Sequence, residues 1–155
     1  MIQPPGDNVP CHPTVSTGST GGTPGGQRTL TVGRTASVTS TVTDADTALA
    51  LGSGALPVLA TPRLIAWCER AACDALTGAL SADQTTVGTH LALDHLAATP
   101  VGAPVTATAT ITAVDGRRID FALEATDPGG TIATGTHTRV IVDAARFVER
   151  ARSRL

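Results

Sequence analysis

The 155-residue sequence lacks an excess of charge of either sign. Its 11 basic and 13 acidic residues give a formal net charge of -2 at pH 7. Proteins that bind nucleic acid or an anionic membrane usually present a basic face to the phosphates. The charge balance therefore argues against a nucleic-acid partner.

Cysteine is also scarce. Cys11, Cys68 and Cys73 form no C-x-x-C pair, and no histidines stand beside them at the spacing typical of a zinc site. Neither a disulfide framework nor a bound metal is expected.

Long apolar runs are missing as well. No stretch reaches the roughly 18 apolar residues of a membrane span, and the first residues lack the basic start and apolar core of a signal peptide. We therefore expect a cytoplasmic protein that has no membrane partner.

What is present suggests one domain. Residues 1–28 are dominated by Pro, Gly, Ser and Thr, which predicts a flexible tail because few large side chains are available to offset the entropy of ordering. Residues 29–155 are long enough for one hydrophobic core. We predict a single folded domain over this range.

Hydrophobic periodicity predicts an α+β fold. A strand within 29–43 precedes a helix with Thr61 as N-cap, Pro62 at its first position and apolar residues at helical spacing from Leu64 to Leu80. Alternating segments follow at 86–98, 105–113, 119–124 and 131–142, and a short basic helix ends the chain, with Phe147 and Val148 able to dock on the domain. This order is that of the hot-dog fold, an antiparallel sheet wrapped around one long helix.

Glu69 is the anomaly of the apolar helix, because it shares a side of the helix with Ile65, Ala72 and Leu76. It is either a solvated carboxylate paired with an arginine or a partly desolvated base or nucleophile.

Strand alternation places His95 on the apolar face of its strand and Gly88 on the opposite face. A histidine there is either a core residue bonded to a carbonyl or a catalyst. Glu69 and His95 are aimed at the same helix–sheet layer, and a carboxylate with an imidazole can perform general acid–base chemistry or acyl hydrolysis. Thr61, besides capping, stands at a helix N-terminus that could stabilise an oxyanion.

The sequence resembles the fluoroacetyl-CoA thioesterase family of hot-dog proteins. The likeness spans about 56–147 and is carried, in order, by TPRLIAWCERA, VGTHLALDHLAATPVG, VDGRR and GTHTR.

The resemblance implies a catalytic set of Thr61, Glu69 and His95 for hydrolysis of a short acyl-CoA thioester. It further implies that Gly88 lies near the acyl group, that Arg139 contacts a coenzyme A phosphate, and that the protein is a homodimer with its pocket near the interface. One departure bears on substrate, because aliphatic residues from Leu56 stand where the fluoroacetyl-specific enzyme has aromatics. This argues against selectivity for fluoroacetyl groups.

The resulting hypothesis is a thioesterase for a small or medium acyl-CoA that needs no metal or redox cofactor. Glu69 serves as base or nucleophile, His95 assists proton transfer or stabilises charge, and Thr61 orients Glu69 or the acyl group. Two alternatives remain open: a non-catalytic protein that binds acyl-CoA or another small ligand on the same fold, and a hot-dog dehydratase.

Overall fold

The computed structural model describes residues 29–155, so the predicted flexible tail at 1–28 lies outside the described residues. The described chain forms, in order, β1 (Thr35–Thr41), a 3-10 turn (Asp44–Asp46), α1 (Ala48–Leu51), α2 (Thr61–Ala75), β2 (Gln84–His95), β3 (Pro104–Asp115), β4 (Arg118–Asp127), β5 (Gly130–Asp143) and α3 (Ala144–Arg152).

The five strands form one antiparallel sheet in the order β1-β3-β4-β5-β2. β1 and β2 are therefore its edge strands, and α2 packs mainly on β1 and β3. The predicted α+β arrangement of one long helix against an antiparallel sheet is confirmed.

Side-chain alternation builds the core as predicted. In β3 the inward residues are buried while threonines occupy the other face, and β4 buries its own alternate positions. Phe121 is the largest side chain of this layer, and its burial contributes about 2–3 kcal/mol. The inward positions are Val105, Ala107, Ala109 and Ile111 in β3 and Ile119, Phe121 and Leu123 in β4.

Helix α2 differs from the prediction at both ends. Thr61 is its first helical residue rather than its N-cap; Ala60 occupies the cap position and makes no side-chain cap bond. The hydroxyl of Thr61 is instead bonded to His95. The helix ends at Ala75 rather than Leu80, because the chain turns through Gly78, whose φ of 77° favours glycine.

Strand β2 contains an irregularity that simple alternation misses. Its register against β5 shifts between Gly88 and His90, so one extra residue is accommodated there. The prediction that Gly88 faces away from the helix is therefore wrong: a side chain at Gly88 would meet Glu69 of α2.

Helix α3 follows β5 directly, with Asp143 accepting a hydrogen bond from the backbone of Arg146. Phe147 and Val148 remain 44% and 48% exposed, so the predicted docking of these side chains on the domain is wrong for this chain. None of the helices within 29–155 is both long enough and apolar enough to cross a membrane.

Candidate active site

The first residue of α2 meets the last residue of β2. Thr61 Oγ1 lies 2.8 Å from His95 Nδ1, a hydrogen-bond distance. The other ring nitrogen, His95 Nε2, is buried and has no hydrogen-bond partner within the described part of the chain. A buried unsatisfied polar atom is costly, so this nitrogen is a candidate contact for a bound group.

The Thr61–His95 pair lies on the wall of a cavity of about 370 Å³. The cavity is formed by the segment after α1, the start of α2 and the segment after β2. Leu56, the predicted substrate contact, belongs to its lining. The remaining walls are small or aliphatic: Ala48, Ser53, Gly54, Ala55, Val58, Leu59, Pro62, Leu96, Ala97 and Ala98.

Glu69 lies two turns further along α2, about 12 Å along the helix axis from Thr61. Its Oε1 is 3.5 Å from Nη1 of Arg139 and 3.5 Å from Nε2 of His137. The Glu69 side chain is 42% exposed, whereas those of its two partners are almost fully buried. One face of the carboxylate is thus held by the protein and the other is open to solvent.

Arg139 is anchored from β2. Its Nε donates to Thr86 Oγ1 and its Nη2 donates to the Thr86 carbonyl, each at 2.9 Å. Arg139 is only 6% exposed and its remaining nitrogen faces Glu69 and His137. This position suits a partner for the Glu69 carboxylate better than the predicted contact with a coenzyme A phosphate, which requires donors that face solvent.

Gly88 permits the close approach of these groups. A Cβ at this position would lie 2.6 Å from Glu69 Oε1 and 2.9 Å from His137 Cε1. The carboxylate therefore sits directly over the backbone of Gly88, where a side chain would displace it.

Cys68, the neighbour of Glu69, is an unsuitable nucleophile. Its side chain is buried, and burial, with a smaller contribution from the Glu69 carboxylate, raises the pKa of the thiol to about 11. The reactive thiolate is therefore scarce at neutral pH. Among the described residues, no group of three or more His, Cys, Asp or Glu side chains could hold a metal ion.

The predicted residues thus fall into two groups. Thr61, His95 and Leu56 meet at the cavity, whereas Glu69, Gly88 and Arg139 meet at the middle of β2. The sequence analysis gave no role to His137 or Thr86. Alternation in GTHTR is the signal that could have found His137, because it places His137 and Arg139 on the same, buried face of β5.

An antiparallel sheet packed on one long helix, with a polar pair on the wall of a largely apolar cavity, defines a hot-dog protein of the thioesterase class. The model of the fluoroacetyl-CoA-specific thioesterase family, FlK, matches residues 42–145. The chain belongs to this family.

Individual relatives agree with this assignment. The fluoroacetyl-CoA thioesterase of Streptantibioticus cattleyicolor is 33% identical over 97 residues, which cover 63% of this chain and 70% of the relative. The crystal structure of the fluoroacetyl-CoA thioesterase FlK superposes with a TM-score of 0.78 at 28% identity, covering 83% of this chain and 99% of that one. A hot-dog-like protein from Thermanaerovibrio acidaminovorans gives a TM-score of 0.74 at 29% identity, with coverage of 80% and 92%.

Proposed function

We propose that this thioesterase hydrolyses a small or medium acyl-CoA to the free acid and coenzyme A. The observation that carries the proposal is the Thr61–His95 pair on the wall of an apolar cavity, in which His95 Nε2 is buried and has no hydrogen-bond partner among residues 29–155. An aliphatic acyl chain suits that lining, and the thioester carbonyl would then lie beside polar groups.

Glu69 supplies the base or the nucleophile. As a base it takes a proton from water, whose oxygen attacks the carbonyl carbon; as a nucleophile it forms an anhydride that water then hydrolyses. In either case the C–S bond breaks and the thiolate of coenzyme A takes up a proton. Thr61 and His95 stabilise the developing charge or carry the proton, and no cofactor is required.

We propose a homodimer because one chain keeps these groups apart. Gly88, beside Glu69, and His95 are seven residues apart on β2, about 23 Å along an extended strand. β2 is an edge strand, and two copies can pair antiparallel about a two-fold axis. An axis between Leu91 and Ala92 sets Gly88 of one protomer opposite His95 of its partner, and so brings Glu69 of the first toward Thr61 and His95 of the second.

Subunit complementation tests this composite site. Glu69→Gln and His95→Ala homodimers should each lose roughly 10²-fold or more of kcat. Unfolded together and refolded, the two variants should recover about a quarter of wild-type activity, because half of the dimers are mixed and each mixed dimer holds one intact site. A site formed within one chain predicts no recovery.

A thioester panel tests the activity itself. Acyl-CoA substrates from acetyl and fluoroacetyl to medium-chain and aryl groups would be followed by release of free thiol, with Glu69→Gln as the control. Thiol release that depends on Glu69 supports the proposal. Ligand-dependent thermal stabilisation without thiol release would identify a binding protein, and an enoyl thioester formed from a 3-hydroxyacyl substrate would identify a dehydratase. Because coenzyme A esters are the proposed substrates, we also propose that the protein acts in the cytoplasm.

A further inference from the structure

His137 is a buried titratable group that the proposed mechanism leaves unused. It lies on β5, is 2% exposed, and packs beside the ring of Phe121. The charged or titratable groups that face it are Glu69 on α2, His90 on β2 and Arg139 on its own strand.

The hydrogen bonds of His137 define its tautomer. Nδ1 lies 2.8 Å from the carbonyl oxygen of His90, next to the register shift in β2. A carbonyl only accepts, so Nδ1 carries a proton. Nε2 lies 3.1 Å from Arg139 Nη1, which only donates, so Nε2 is unprotonated and accepts. The ring is therefore neutral, and burial lowers its pKa from the usual 6.5, in agreement with this state.

A neutral Nε2 without hydrogen cannot donate to Glu69, although it lies 3.5 Å from Oε1. The carboxylate contact therefore comes from Arg139. Thr86 fixes two nitrogens of this guanidinium, and His137 takes one hydrogen of the third. The other hydrogen on Nη1 remains for Glu69.

We infer that His137 is a positioning residue for the reaction: as a neutral Nδ1–H tautomer, it locks Arg139 so that the guanidinium orients the Glu69 carboxylate over Gly88. This inference rests on the proposed function, since it assigns Glu69 the central role. If His137 gained a proton, its Nε2–H would repel the Arg139 N–H that it now accepts from. The same Nε2–H would donate to the Glu69 carboxylate. The carboxylate would then be held by a different donor from a different direction.

The tautomer can be measured on the unmodified protein. In the full-length, ¹⁵N-labelled chain at pH 7, long-range ¹H–¹⁵N correlation should show a neutral histidine protonated on Nδ1 whose signal is missing from His137→Gln. A His137 ring protonated on Nε2, or on both nitrogens, would overturn the inference without reference to catalysis.

Kinetics test the consequence. His137→Leu fills similar space but accepts no bond from Arg139, so kcat should fall roughly tenfold or more while KM changes little. His137→Gln, whose amide oxygen can accept from Arg139, should regain most of the loss. It should also lack the part of the acid-side fall in wild-type kcat that comes from protonation of His137.

The matched control is Thr138→Val on the same strand. Thr138 is also buried, but its hydroxyl bonds Asp120 rather than a site residue, so the control should lose stability and keep kcat. If wild-type hydrolysis depends on Glu69 but His137→Leu retains full kcat, the positioning role is wrong and the proposed function stands. If wild type hydrolyses no thioester, the proposed function fails. The tautomer measurement then still decides whether a neutral His137 accepts the hydrogen bond from Arg139.

Discussion

Gly88 is a residue at which one methyl group would disturb the site. Its missing Cβ would lie 2.6 Å from Glu69 Oε1 and 2.9 Å from the His137 ring. Gly88→Ala should therefore displace the carboxylate and lower kcat/KM by roughly 10²-fold. The cost in stability should be about 1–3 kcal/mol, because the half-exposed Glu69 can swing toward solvent.

Gly135 provides the contrast for this measurement. A Cβ there would lie 2.2 Å from the carbonyl oxygen of Ala92, which is backbone and cannot move aside. Gly135→Ala should lose more stability than Gly88→Ala, measured by urea unfolding, and less kcat/KM per folded molecule. The opposite order would contradict the placement of Glu69 over Gly88.

A second prediction concerns the hydroxyl of Thr61. Its hydroxyl bonds His95 and caps nothing, so Thr61→Val should leave helix α2 nearly as stable and cost about 1 kcal/mol for the lost bond. We expect kcat to fall at least tenfold and Thr61→Ser to restore it. Equal activity of the valine variant and wild type would remove Thr61 from the mechanism.

The error about Thr61 has a local cause. Thr before Pro is a frequent helix start, and this signal concerns only neighbours in sequence. The competing hydrogen-bond partner, His95, lies 34 residues away and becomes available only once β2 is in place. Residue types therefore selected Thr61 as a candidate, but local rules gave its hydroxyl the wrong partner.

At the level of elements, periodicity was reliable where a strand is regular. Alternation predicted the buried faces of β3 and β4, whose threonine or polar outer faces contrast with apolar inner ones. In β2 the register shift between Gly88 and His90 breaks this rule. Gly88 is the local signal in VGTHL, since an isolated glycine within a strand often accompanies a bulge or a close approach. The position of the extra residue is fixed by pairing with β5.

The segment between α1 and α2 forms one wall of the cavity, so substitutions in this segment should change the volume of the cavity. Ala55 and Ala97 come from separate segments and both line the space beside Thr61. Ala55→Phe should fill part of the cavity, so kcat/KM for the longest accepted acyl group should fall at least tenfold. The value for acetyl-CoA should change little and serves as the internal control. An equal fall for all acyl groups would mean that the acyl chain lies elsewhere.

For the whole molecule, the sequence predicted the fold and the faces of its elements better than the distances between the candidate residues. Glu69 and His95 do face one helix–sheet layer, yet in the chain they belong to separate clusters. The helix–sheet layer is long. The side-chain period of 2 in a strand or 3.6 in a helix shows which face a residue occupies, but not how far along the layer it lies from a residue of another element. Within one chain Glu69 and His95 are too far apart to act on one thioester. This separation is the reason for proposing that two β2 edges pair, because the pairing brings Glu69 of one protomer toward His95 of its partner.

The stability of the whole molecule should report the state of His137. Its folded pKa is lowered, by burial first, from a usual value of 6.5. When the pH falls below 6.5, His137 becomes protonated in the unfolded chain but stays neutral in the folded chain. The free energy of unfolding therefore decreases as the pH falls from 6.5 to the folded pKa of His137. Between pH 7 and pH 5, the wild-type unfolding midpoint should therefore drop more than that of His137→Gln, by on the order of a few degrees.

His90→Gln is the control for this pH dependence, because the exposed side chain changes while the carbonyl that accepts from His137 Nδ1 remains. Its midpoint should keep most of the wild-type dependence on pH, because the charge of His90 makes the smallest of the contributions to the lowered pKa of His137. If His137→Gln shows the same acid-side drop as wild type, the folded pKa of His137 is not lowered. If wild type drops less than His137→Gln, His137 is already protonated in the folded state at pH 7. Arg139 would then face a cation, and Glu69 would be held by an imidazolium in place of the guanidinium.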